Sequence, residues 1–115
     1  MNYRYIERKQ IVDIDFVKSG NILSLKIMGR IGEAEADTLK IRFRENKLDN
    51  IDEVIIDMAE VSHLGSSGIG KLILIYKDVS LKNGTLRIIN APEHIFKLLK
   101  SLKFDQIFSI SNKAS

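Results

Sequence analysis

Val54-Ile55-Ile56-Asp57-Met58-Ala59-Glu60-Val61-Ser62-His63-Leu64-Gly65-Ser66-Ser67-Gly68-Ile69-Gly70-Lys71 runs from an apolar triplet, through a polar connector, into a glycine-rich helix start. Val54-Ile55-Ile56 is a short continuous apolar run, the pattern of a strand covered on both faces. From Gly68 to Leu81 the residues Ile69, Leu72, Ile73 and Tyr76 recur at helical spacing. Leu74 and Ile75 widen the apolar surface beyond one stripe, which leaves them two destinations, the preceding helix or a partner. A strand feeding a helix through such a turn is half of a parallel α/β unit, and loops at the carboxyl ends of parallel strands are the usual functional edge.

Outward from this stretch the elements alternate. Before it, Val12, Ile14 and Phe16 form the apolar set of one alternating run, and Leu23, Leu25 and Ile27 that of a second. Ser19-Gly20-Asn21 between them is turn chemistry, so the two runs read as a β-hairpin. Glu33 to Asn50 reads as a helix, with Ala36, Leu39 and Phe43 on one stripe and acids ahead of bases, as the helix dipole prefers. After the central stretch, Asn83-Gly84 stops the second helix and Thr85 to Ile89 is a strand. Asn90-Ala91-Pro92-Glu93 starts a third helix, carrying Ile95, Leu98, Leu99 and Leu102. Ile107 to Ile110 is a final short strand, and Ser111 to Ser115 a polar, frayed tail. The order β-β-α-β-α-β-α-β predicts one mixed, mostly parallel sheet opened by an antiparallel hairpin. Right-handed crossovers join its strands, and three helices are too few to cover both faces evenly, so most pack on one.

The chain has 115 residues, the size of one domain. With no cysteine, disulfides and cysteine-ligated zinc are excluded. The charged start Met1 to Lys9 has no apolar core of a signal peptide, and the longest apolar run, Leu72 to Tyr76, is far too short to cross a bilayer. A cytoplasmic location is expected. The formal charge is +3, from 18 basic and 15 acidic residues. The basic clusters (Arg42, Arg44, Lys47; Lys97, Lys100, Lys103) are interrupted and accompany no nucleic-acid motif, so they read as solvated helix faces.

The serines of the central stretch fall where the first unpaired N–H groups of a helix belong. Such a site caps itself with a hydroxyl or accepts an anion. The plain structural account makes Ser66 or Ser67 an N-cap and leaves Gly65, Gly68 and Gly70 to permit a tight loop. Gly65 to Leu72 nearly spells the phosphate-binding pattern G-x-x-x-x-G-K-[ST], but Leu72 cannot ligate magnesium. A nucleophile elbow around Ser67 would need glycine at Ile69. His63 reads as a polar strand-edge residue and His94 as an exposed residue of the third helix's first turn, because no acid and oxyanion hole can be assigned to either. No enzymatic activity, metal or cofactor is expected.

These elements together resemble the STAS domains, named for sulphate transporters and anti-sigma factor antagonists. The resemblance runs from about Val12 to Ile110. It includes Gly29-Arg30-Ile31 after the hairpin, Val54-Ile55-Ile56-Asp57, Val61-Ser62-His63-Leu64 leading into Ser66-Ser67-Gly68-Ile69-Gly70, Gly84-Thr85-Leu86-Arg87-Ile88 and Leu98-Leu99-Lys100-Ser101-Leu102. It implies one STAS domain over residues 1–115, with a core of about 11–110. Bacterial anti-sigma factor antagonists of this family carry Asp-Ser-Ser-Gly in the loop, and a kinase that is also the anti-sigma factor phosphorylates the first serine. The resemblance assigns that role to Ser66 and makes Asp57, His63, Gly65, Ser66, Ser67 and Gly68 the partner-binding loop. Gly65 stands where those members usually have aspartate. The implied partner is an anti-sigma factor with serine kinase activity; the alternative is a non-phosphorylated scaffold or accessory subunit of a stressosome-like or transporter complex.

Overall fold

The computed structural model describes residues 13–113, so Val12 of the first alternating run lies outside it. Strand β1 (Asp13–Ser19) turns through Gly20 and Asn21 into β2 (Ile22–Ile31). Gly20 has φ +59°, a conformation that glycine adopts freely, so it suits the tight hairpin. The register pairs Phe16 with Leu25 and Ile14 with Ile27. Leu23, Leu25 and Ile27 are buried, as their alternation required.

Helix α1 (Glu33–Arg44) stops six residues short of the predicted Asn50. The Asn46 side chain donates to the carbonyls of Arg42 and Phe43, closing the helix end. Asn50 then takes φ +64°, and this turn seats Leu48 and Ile51 against the core. At the other end, Glu35 Oε1 accepts the Gly32 N–H at 3.0 Å.

Strand β3 (Glu53–Leu64) is much longer than the predicted triplet. It is also covered on one face only: Val54, Ile56 and Met58 are fully buried, while Ile55 and Asp57 are half-exposed. Helix α2 (Ser66–Leu81) follows, then β4 (Thr85–Ala91), helix α3 (Glu93–Ser101), a single 3₁₀ turn at Phe104–Gln106, and β5 (Ser109–Asn112). The last strand lies two residues later than expected. Ser111 and Asn112 belong to it rather than to a frayed tail, and Lys113 N–H still bonds Ala91 O at 2.7 Å. Phe108 takes the space before β5, with its ring 5.8 Å from Tyr76 and 5.6 Å from Phe104.

The sheet order is β1-β2-β3-β4-β5, with β1 antiparallel to β2 and all later pairs parallel. One core unites the inward faces of β2, β3 and β4 with Leu39 and Phe43 of α1, Leu72 and Ile75 of α2, and Ile95 and Leu99 of α3. The helices therefore share one face. Each such fully buried side chain stabilises the fold by about 1.5–3 kcal/mol. Ile75 is wholly inside this core, so the partner reading of that residue falls. The buried line of α2 is Gly68, Leu72, Ile75 and Val79, rotated from the predicted stripe. Leu102 lies beyond the end of α3 and is exposed.

Candidate functional site

Two irregularities shape β3 as it leaves the sheet. Its pairing with β4 ends at Asp57 opposite Ile89. Pairing with β2 continues to Leu64 opposite Ile31, but slips twice. Between Lys26–Asp57 and Met28–Glu60, Met58 and Ala59 face the single residue Ile27. Between Gly29–Val61 and Arg30–His63, Ser62 is extra. Each inserted residue flips the inward set by one, so the buried positions become Val54, Ile56, Met58, Val61 and Leu64.

Side chains hold both irregularities. Asp57 Oδ1 accepts the Ala59 N–H at 2.9 Å, and Lys113 Nζ donates to Ala59 O at 3.4 Å. His94 Nε2 lies 3.2 Å from Ser62 O.

Asp57 thus sits inside β3, not at its end. At a strand rise of about 3.3 Å per residue, and with two inserted residues that add little length, it lies roughly 20 Å from the Gly65 turn. It lines a shallow depression on the helix-free face of the sheet with Lys26, Ile55 and Ile89. The structure does not bring Asp57 together with the serines.

It does bring His63, Gly65, Ser66, Ser67 and Gly68 together. The segment Asp57 to Leu64, expected to connect a strand to a helix, is itself strand, and the connection shrinks to Gly65 alone. Gly65 is the N-cap of α2, with φ −85° and ψ 179°, and its N–H bonds Ile31 O at 3.0 Å. Neither serine is the cap. Ser66 and Ser67 are the first two helical residues, Ser66 exposed and Ser67 half-buried. Since the first N–H to bond within the helix is that of Ile69, to Gly65 O at 3.0 Å, the N–H groups ahead of it form a positive helix end beside the Ser66 hydroxyl.

Gly68 is buried where the helix start meets the strands. A Cβ there would lie 2.6 Å from Leu64 Cδ1 and 3.1 Å from Ile31 Cγ2. Gly65 is roomier: a Cβ would meet Ile31 O at 3.5 Å and His63 Nε2 at 3.7 Å, so the exposed His63 ring lies over the turn. Gly70 and Lys71, the apparent end of a phosphate-binding loop, are well inside α2. The ammonium of Lys71 pairs with Asp37 of α1 at 3.3 Å. His94, read from sequence as a bystander, is the residue that reaches the second irregularity. Its sequence neighbourhood carried no sign of this, because Ser62 and His94 meet only through the tertiary fold.

Solved structures share this architecture. An anti-sigma factor antagonist from Mycobacterium paratuberculosis superposes with a TM-score of 0.77 at 17% identity, over 89% of this chain and 86% of that one. The anti-sigma factor antagonist SpoIIAA in its unphosphorylated form gives 0.74 at 10% identity, over 88% and 90%. The Bacillus cell fate determinant SpoIIAA in the phosphorylated form gives 0.69 at 10% identity, over 88% and 93%. At such identities the likeness establishes the fold. The family model of the STAS domain matches residues 13–115, nearly the whole chain. The chain belongs to the STAS domain family.

Proposed function

We propose that this protein is an anti-sigma factor antagonist whose partner is an anti-sigma factor with serine kinase activity, and that phosphorylation of Ser66 switches it off. One observation carries the reading: Ser66 is exposed at the first position of α2, on a helix end with no acidic residue in its first turn. The unmodified end is small and bears no charged side chain in its first turn, suited to lie flush against another protein. Transfer of the γ-phosphoryl of ATP, held by the partner, breaks the bond to ADP and forms one to Ser66 Oγ, and the hydroxyl proton leaves to a base on the partner. The product carries about −1.5 to −2 charges and three acceptor oxygens. The helix end tolerates this charge, whereas an apolar or acidic partner surface would not. His63, Gly65 and Ser67 complete the contact, with the buried Gly68 seating the helix start beneath them. ATP as the donor implies a cytoplasmic location.

The departure at Gly65 favours a second reading, a STAS scaffold or accessory subunit that is never phosphorylated. Affinity capture of the tagged protein from its own cells, with mass spectrometry of partner and phosphosites, separates the two. A captured kinase with phosphate on Ser66 supports the switch. Transporter or multi-STAS subunits with Ser66 unmodified overturn it.

A further inference from the structure

We infer that His94 is a positioning residue for Ser66, an inference that rests on reading Ser66 as the modified residue. Ser62 lies four residues before Ser66 and has no register partner on β2. On its other side the β4 ladder has already ended at Ile89. Neither ladder gives Ser62 a register partner, and the imidazole of His94, the second residue of α3, bonds its carbonyl at 3.2 Å. A carbonyl only accepts, so Nε2 of His94 carries the proton. Beyond Ser62 the chain has two further paired steps, His63 against Arg30 and Leu64 against Ile31, before Gly65 turns it into α2. An inserted residue is left unpaired and bends its strand, so a bond to it bears on the direction the strand takes next. His94 holds it, and so sets the angle at which β3 delivers Ser66 to the start of α2. The same bond makes α3 a lever on the site: a partner that moves the start of α3 moves the serine.

The chain has no cysteine, so Ser66→Cys places a single thiol at the site. Its reaction rate with a small aromatic disulfide reagent reports the local geometry without any partner. In this background His94→Ala should change the rate roughly threefold or more, and amide exchange over Ser62 to Ser67 should quicken about fivefold, the size expected for one lost hydrogen bond. His94→Gln places an amide N–H near the position of Nε2 and should restore both. Unchanged rates and exchange in His94→Ala overturn the inference. A Gln variant that behaves like Ala also overturns it, since the effect would then come from the ring or its charge. These measurements use the free protein. Absence of Ser66 phosphate in cells would thus refute the switch and leave the outcome for His94 standing on its own.

Discussion

Asp57 Oδ1 accepts the N–H of Ala59 two residues later at 2.9 Å, closing the first irregularity of β3 on itself. Asp57→Ala removes the acceptor from a part-buried amide. A loss of about 1 kcal/mol is expected, the usual net contribution of one such bond. Asp57→Asn should recover part of it, because an amide oxygen still accepts. Urea unfolding of the three proteins checks this; equal stability of wild type and Asp57→Ala would show that the strand holds its own shape.

Gly68 is where α2 touches the strand ends most closely. Gly68→Val would drive branched carbons into Leu64 and Ile31, which already stand 2.6 and 3.1 Å from a Cβ. Overpacking of this kind costs about 1–3 kcal/mol. Because the clash lies under Ser67 and Ser66, partner affinity should fall together with stability. A Gly68→Val protein as stable as wild type in thermal unfolding would contradict the packing argument.

Ile75 is fully buried, whereas its neighbour Leu74 is half-exposed. Ile75→Ala should cost about 2–5 kcal/mol through the cavity it leaves. Leu74→Ala should cost about 1 kcal/mol, near the centre of the mutational distribution. Denaturant midpoints at unchanged slope measure both. The reverse ranking would mean that α2 is rotated about its axis relative to this structure.

Gly65 has φ −85°, open to any residue, and a Cβ there makes ordinary contacts. Glycine is only a few tenths of a kcal/mol worse as a cap than aspartate. Gly65→Asp should therefore leave stability within about 1 kcal/mol, on that same capping scale. The new carboxylate lies beside the His63 ring and next to Ser66, the proposed phosphoacceptor, so phosphorylation rate or partner affinity should change by a larger free energy. Unfolding and partner titration on the same pair of proteins decide it. A large stability change with flat binding would defeat the charge argument.

Ser66 and Ser67 differ in exposure, so substitutions at the two should differ in effect. Ser66→Asp should weaken partner binding about tenfold or more, that is about 1.4 kcal/mol. Ser67→Ala, at a half-buried position, should have a smaller effect. Calorimetric titration with the captured partner measures each. Equal effects, or phosphate mapped only to Ser67 or Ser62, would move the switch away from Ser66.

The element order, the hairpin, the parallel crossovers and the serine pair at the start of α2 follow from the sequence alone, because they rest on local periodicity and turn chemistry. Leu23, Leu25 and Ile27 alternate and are buried; Asn83-Gly84 stops a helix and does so with Asn83 at φ +63°. The full length of β3 was not legible. Its inward residues step by two to Met58 and then by three to Val61 and Leu64, and a strand template with period two loses the trail at the first insertion. The helix end at Arg44 was hidden for a similar reason: the charge order continues past it, while a side-chain cap by Asn46 and the burial of Ile51 decide where the chain turns. Separation of Asp57 from the serines, and the junction of Ser62 with His94, belong to the tertiary structure. The first depends on how far β3 pairs with β2, the second on where β4 ends beside β3, facts about two strands that neither strand's sequence contains.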